Sequence, residues 1–152
     1  MYLKQAEQLE QEGRYREAEQ LYCAINQPNK AIAMYKAAGN HEQMMRLVEK
    51  YHAEHVQDTH RHVAKDMEEQ GRYKEAEQHY VNAGEWKSAV HMYKTAEQWE
   101  DAHRVAKHYG TEQAPKQVAF LWSKSLGGDS AVKLLQKFNI LDEAIDFFSE
   151  NG

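Results

Sequence analysis

Nine histidines in 152 residues raise the question of a metal site. The densest group is His52, His55, His60 and His62, inside the stretch YHAEHVQDTHRH. A structural zinc site needs four nitrogen or sulfur donors that converge as a tetrahedron. His60 and His62 are two positions apart, so on a helix they point to nearly opposite sides. No HExxH pair occurs, and the single cysteine, Cys23, leaves no second thiolate. The expectation is no metal and no other cofactor, with one or two of these histidines packed at a helix start. The glycine-rich turn SLGGDS, Ser125 to Ser130, lacks the spaced glycines and the Gly-Lys-Ser/Thr ending of a phosphate loop. It reads as a tight turn at Gly127-Gly128 with Asp129 capping the next helix. Glu17/Glu19 and Glu75/Glu77 are two apart and diverge on a helix, so they make poor acid–base couples. Cys23 falls within a helical stretch and reads as a small packing residue. No nucleophile stands with a base, and the expectation is that the chain is not an enzyme.

Charge narrows the partners. The formal net charge is −5, with lysine and arginine interleaved among the acids. No basic block suits nucleic acid or anionic lipid. No apolar run reaches membrane-spanning length and no signal peptide is visible, so no direct membrane insertion is expected. One cysteine permits no intrachain disulfide.

What must position these residues is a repeat. GRYREAEQLYCA at 13–24 returns as GRYKEAEQHYVN at 71–82, an offset of 58 from Gly13 to Gly71. The offset persists as Ala31, Met34, Tyr35, Ala38, Arg46 and Tyr51 become Ala89, Met92, Tyr93, Ala96, Arg104 and Tyr109. A shorter period of 13 lies within it. Ala18, Ala31 and Met44 begin one run, Ala76, Ala89 and Ala102 a second, Ala131 and Ala144 a third. Each is followed four residues later by Tyr22, Tyr35, Val48, Tyr80, Tyr93, Ala106, Leu135 or Phe148. Tyr15, Pro28, His41, Tyr73, Trp86, Trp99 and Leu141 precede by three. Positions i−3, i, i+4 and i+7 share one stripe of a 3.6-residue helix, so each unit is a short amphipathic helix.

The turns punctuate the same period. Gly13, Gly39, Gly71, Gly84 and Gly110 stand where helices should stop in the left-handed conformation. Asp58, Thr111 and Asp129 stand where helices should start and cap. The spacing predicts helices over 2–12, 15–25, 29–38, 41–51, 59–70, 73–83, 86–96, 99–109, 114–126, 129–138 and 141–150, with 52–58 as a link held as a rigid joint by Val56. Helices this short are marginal alone and must lay their stripes on neighbours. The fold expected is therefore all-α: a right-handed α-solenoid of short antiparallel helix hairpins, about eleven helices, running as one continuous segment through 1–152. It divides into a four-helix repeat at 1–51, a second at 59–110 and further helices over 111–152. Gly13, Tyr15, Ala18, Tyr22, Ala31, Tyr35, Gly71, Tyr73, Ala76, Tyr80, Ala89, Tyr93, Ala102, Ala131 and Ala144 are its packing motif. Most aromatics belong to the stripe. Trp86, Trp99 and Trp122 are the candidates for partner contact if an inner face leaves them part-exposed. Met1 leads straight into helix and Ser149-Glu150-Asn151-Gly152 ends abruptly, which reads as an excised piece whose uncapped ends can pair into dimers.

GxYxxAxxxYxxA resembles the second helix of a tetratricopeptide motif, although two steps of 13 fall short of the usual ~34-residue unit. Longer phrases narrow the resemblance: KAIAMYKAAGNHEQMMRLVEKYH at 30–52, DTHRHVAKDMEEQGRYKEAEQHYVNAGEWKSAVHMYK at 58–94 and VAFLWSKSLGGDSAVKLL at 118–135. Together they resemble the solenoid of the largest subunit of intraflagellar transport complex B. The resemblance implies a non-catalytic scaffold for cilium assembly and ciliary cargo transport. Its partners would be other intraflagellar transport subunits, in the cytoplasm of the cilium or flagellum and at the ciliary base. The runner-up reading is a membrane-coat or vesicle-tether solenoid, which shares the architecture and differs in partners.

Overall fold

The computed structural model describes residues 2–151; Met1 and Gly152, and with them the expectations about the two ends, lie outside the described residues. Helices α1 (Tyr2–Gln11), α2 (Tyr15–Ala24), α3 (Pro28–Ala37) and α4 (His41–Tyr51) come first. A 3-10 turn, Ala53–His55, then leads into α5 (Val56–Glu69). There follow α6 (Tyr73–Asn82), α7 (Trp86–Thr95), α8 (Trp99–Tyr109), α9 (Gln113–Leu126), α10 (Gly128–Lys137) and α11 (Leu141–Asn151). No strand occurs among the described residues. The chain forms two compact units, 1–65 and 66–152.

In the first unit α1 packs on α2, α2 on α3 and α3 on α4. Ala6, Ala18 and Ala31 lose their whole surface there, which lets the helices approach, and Tyr22, Tyr35, Met44, Leu47 and Val48 fill the space between them. In the second unit α6 packs on α7, and each later helix packs on the next through α11. Ala76, Ala89 and Ala102 are again fully covered, with Tyr80, Tyr93, Met92 and Val105 beside them. Phe120, Leu135, Ile140 and Ala144 make a further cluster, and the Phe147 ring stacks 4.9 Å from Phe120. Consecutive short helices joined by turns of this kind are helix hairpins, the all-α solenoid class that the periodicity implies.

One turn recurs. At the ends of the helices a residue at positive φ is followed by a residue whose N–H reaches back five positions to a carbonyl. Arg14 bonds Leu9, Gln27 bonds Tyr22, and Asn40 bonds Tyr35. Arg72 bonds Met67, Glu85 bonds Tyr80, Gln98 bonds Tyr93, and Ile140 bonds Leu135, all at 2.8 or 2.9 Å. This is the Schellman closure, which satisfies carbonyls orphaned at a helix end. Glycine supplies the positive φ at Gly13, Gly39, Gly71 and Gly84, and Asn26, Glu97 and Asn139 supply it elsewhere.

Three local expectations fail. Gly110 is not left-handed: its φ is −93° and ψ −178°. It is needed for closeness instead, since a Cβ there would stand 2.6 Å from Ala114 Cβ, 2.7 Å from the Ala106 carbonyl and 2.8 Å from Trp86 Cη2. The stretch 52–58 is mostly helical, because α5 begins at Val56 and the 3-10 turn takes the residues before it. Asp58 and Asp129 sit inside the first turns of α5 and α10. Glu112, not Thr111, precedes α9, and neither Glu112 nor Gly127 makes a side-chain cap. Asn40 is a true cap, its Oδ1 accepting from the Gln43 N–H at 3.3 Å. Capping depends on a φ/ψ at the preceding residue that composition alone does not set.

Candidate interaction surfaces

The ionisable side chains of the repeat pair with one another across helices, and they do so twice. In the first unit the Tyr22 hydroxyl donates to Glu10 Oε1 at 2.7 Å and the Tyr35 hydroxyl to Glu19 Oε1 at 2.6 Å. Arg46 Nη2 meets the same Glu19 oxygen at 2.5 Å. Fifty-eight residues on, Tyr80 donates to Glu68 at 2.8 Å, Tyr93 to Glu77 at 2.6 Å, and Arg104 Nη2 to Glu77 at 2.5 Å. Each clasp thus ties the tyrosine of one helix to the helix before it, and the carboxylate in turn to an arginine two helices on. The tyrosines are on the buried stripe, so their hydroxyls must find an acceptor, and the repeat supplies one at a fixed offset.

Electrostatics follow from these contacts. Burial, then the hydrogen bond to Glu19, pushes the Tyr35 hydroxyl up to about 12. Burial would raise the Glu77 carboxyl, but hydrogen bonds from Arg104 and Tyr93 and the charges of Arg104 and Lys74 outweigh it and hold it below the usual carboxylate range. Asp101 is held low the same way: burial opposes, and Lys74 and Arg104 win. Helix surfaces carry simpler pairs, Arg14 Nη2 on Glu17 Oε2 at 2.6 Å and Arg72 on Glu75.

The structure distributes the remaining candidates as follows. Gly13 and Gly71 lie exposed in turns; Tyr15, Tyr73 and Ala131 are half-buried; Ala144 is buried. Trp86, Trp99 and Trp122 are all half-buried. Trp86 lies against the Gly110 turn and shares a cavity of about 290 Å³ with Val90, Val118 and Leu121. The Trp122 ring stands 6.4 Å from that of Phe138. His52 Nε2 contacts Asn29 Oδ1 at 2.5 Å, the His55 ring is 6.1 Å from His52, His60 is buried, and His62 is exposed. No group of three His, Cys, Asp or Glu side chains is arranged to hold a metal among the described residues, and Cys23 is a free, half-buried thiol.

Two concavities lie outside the sequence-based expectations. The larger, about 520 Å³, is in the second unit, with Ala119, Phe138 and Ile140 as its floor and His103, Lys107 and Lys116 around it. His103 stacks on Phe138 at 4.4 Å between ring centres. Burial, then the charges of Lys107 and Lys137, holds its imidazole below the usual value. The other, about 390 Å³, opens in the first unit around Tyr15, Arg16, Tyr35 and Gln43. Among the described residues no helix is long and apolar enough to cross a membrane.

No family model matches the chain. Curated proteins do. The chain is 48% identical over 151 residues to the Intraflagellar transport protein 172 homolog of Danio rerio, covering 99% of this chain and 9% of that protein. Against Intraflagellar transport protein osm-1 of Caenorhabditis elegans the identity is 51% over 151 residues, with the same coverage of both proteins. For Intraflagellar transport protein 172 of Chlamydomonas reinhardtii it is 46% over 153 residues, 99% of this chain and 9% of the relative. The chain thus spans about a tenth of the length of the relatives it matches. Over that span it is homologous to one segment of the intraflagellar transport 172 and osm-1 proteins, the complex B subunit whose solenoid its phrases resemble.

Proposed function

We propose that the chain is a non-catalytic stretch of an intraflagellar transport scaffold, binding other transport subunits in the cilium or flagellum and at the ciliary base during cilium assembly. The observation that carries this is identity of 46–51% along 99% or more of the chain to proteins named for intraflagellar transport. The side-chain chemistry supports it. The buried carboxylates and tyrosines answer each other in structural clasps, which holds helices in place and leaves no acid–base pair facing a cavity. Partner contact is assigned to the half-buried tryptophans, with Trp99 foremost, because Trp86 and Trp122 are already engaged by Gly110 and Phe138. Ile145 on α11, 57% exposed, and Tyr2 on α1, 52% exposed, are the apolar contacts through which copies of the chain would pair.

The test is quantitative affinity capture from ciliated-cell extract, with the chain and its Trp99→Ala variant as baits. Enrichment of intraflagellar transport subunits, reduced by a variant that keeps its circular dichroism, is the expected result. Enrichment of coat or tether subunits instead would transfer the chain to the membrane-coat class. Sedimentation at rising concentration, with Ile145→Lys as control, reads the pairing of copies.

A further inference from the structure

The two copies of the repeat are so alike in sequence and clasp geometry that each serves as a control for the other. They differ at one corner. In the second copy Lys74 Nζ donates to Asp101 Oδ1 at 2.6 Å, and Asp101 also receives Arg104 Nη2 at 3.4 Å. The first-copy counterparts, 58 positions earlier, are Arg16, Gln43 and Arg46. Gln43 is neutral, and its Oε1 accepts from Arg46 Nε at 2.8 Å. Lys74, Asp101, Arg104 and Glu77 balance to zero charge; Arg16, Gln43, Arg46 and Glu19 carry one uncompensated positive charge. Among the described residues no carboxylate lies within ion-pair distance of Arg16. Where the second copy holds the Asp101 side chain against its lysine, the first has the cleft of about 390 Å³ lined by Arg16, Tyr15, Tyr35, Asn40 and Gln43. Tyr15 and Tyr35 meet edge to face at 6.3 Å and form an apolar wall. The mouth is open at Gly13, where a Cβ would find nothing within 4 Å.

We propose that this cleft docks an aspartate or glutamate side chain of an acidic peptide segment on a partner protein, the carboxylate taking the place that Asp101 fills in the second copy. Arg16 supplies the charge, the Gln43 amide N–H₂ a neutral donor, and the two tyrosines a surface for the segment's methylenes. One carboxylate restores the neutrality seen in the second copy. A polyanion such as nucleic acid or an anionic bilayer would meet a chain of net charge −5. The inference rests on the internal comparison, so it stands or falls independently of which transport subunits the chain captures.

The test uses the 152-residue chain and a fluorescein-labelled peptide of aspartate, leucine, glycine and serine, beside a twin with asparagine for every aspartate, read by fluorescence anisotropy. The aspartate peptide is expected to bind, more weakly as salt rises, and the asparagine twin to fail. Arg16→Gln should weaken binding about fivefold, the scale of one exposed charge pair. Gln43→Asp, which installs the second copy's carboxylate, should weaken it similarly while raising the denaturation midpoint, so loss of fold is distinguished from occupancy of the site. Equal binding of the asparagine twin, unchanged binding by both variants, or no binding by the unaltered chain would each overturn the proposal.

Discussion

The Tyr93 hydroxyl lies 2.6 Å from Glu77 Oε1, and Glu77, 5% exposed, is the most enclosed carboxylate of the second unit. Arg104 grips both of its oxygens, at 2.5 and 3.1 Å, while its own guanidinium stays 47% exposed. The pair is therefore half solvated on one side and desolvated on the other. Replacing the carboxylate leaves a buried hydroxyl without an acceptor, whereas the arginine can turn to water.

Glu77→Ala is expected to destabilise the chain by about 2 kcal/mol, the scale of a buried hydrogen bond to a charged group after discount for the exposed arginine. Arg104→Ala should cost less than half of that. Glu19→Ala should fall between them, because Glu19 is more exposed than Glu77 and meets Arg46 through one oxygen. Urea denaturation of the three variants checks the ranking.

Acid should unfold the second unit first. Glu77 and Asp101 ionise below the ordinary carboxylate range in the fold. As pH falls through about 4 the unfolded chain takes up these protons first, so the stabilisation is complete above that range and is lost on descent towards the folded values. Asp101→Asn should flatten the acid limb of stability against pH. An unchanged limb would remove Asp101 from the account.

A milder dependence belongs to His103 and His60. Burial, first of the causes in both, holds each imidazole below its usual value. The fold favours neutral rings, and the unfolded chain binds protons first near pH 6.5. Stability is therefore full above that pH and declines below it. His103→Gln should remove part of the decline, seen in denaturation midpoints between pH 7 and pH 5.

Two backbone changes should act in opposite directions. Glu97 holds a φ of 60° where the first copy has Gly39, and a left-handed non-glycine residue costs about 1–2 kcal/mol. Glu97→Gly recovers this, less the extra freedom glycine gives the unfolded chain, for a net gain of about 0.5–1 kcal/mol. Gly110→Ala drives a Cβ into Ala114, Ala106 and Trp86 and should cost about 1–3 kcal/mol. Thermal melts of both variants give the signs directly.

The stripe was legible because burial follows helical period, and Ala18, Tyr22, Ala76 and Tyr80 need no knowledge of distant residues. The clasps were less so. Glu10 and Tyr22 are 12 apart, Glu19 and Tyr35 16 apart, and Glu77 and Arg104 27 apart, separations that mean nothing until the hairpins are folded. A signal did exist, since the acids at 10, 19, 68 and 77 and the arginines at 46 and 104 keep the repeat's offset although no packing stripe requires it. The cleft at Arg16 was hidden for the opposite reason: it arises from a departure, glutamine at 43 against aspartate at 101, that pattern matching passes over. Gly110 was misread because the period places a stop there, while the contact that demands glycine comes from Trp86 on another helix.

The separation of 27 recurs in Glu19–Arg46, Lys74–Asp101, Glu77–Arg104 and Lys116–Glu143. One residue inserted anywhere between two such partners turns the later helix by about 100° about its axis and aims its charged group away from the earlier one. Loops elsewhere in proteins absorb single-residue indels. This chain has no slack in which to hide one, because its turns are short and its polar pairs are in phase with its apolar stripe. Changes of length in such a chain should therefore be tolerated as whole hairpins or not at all.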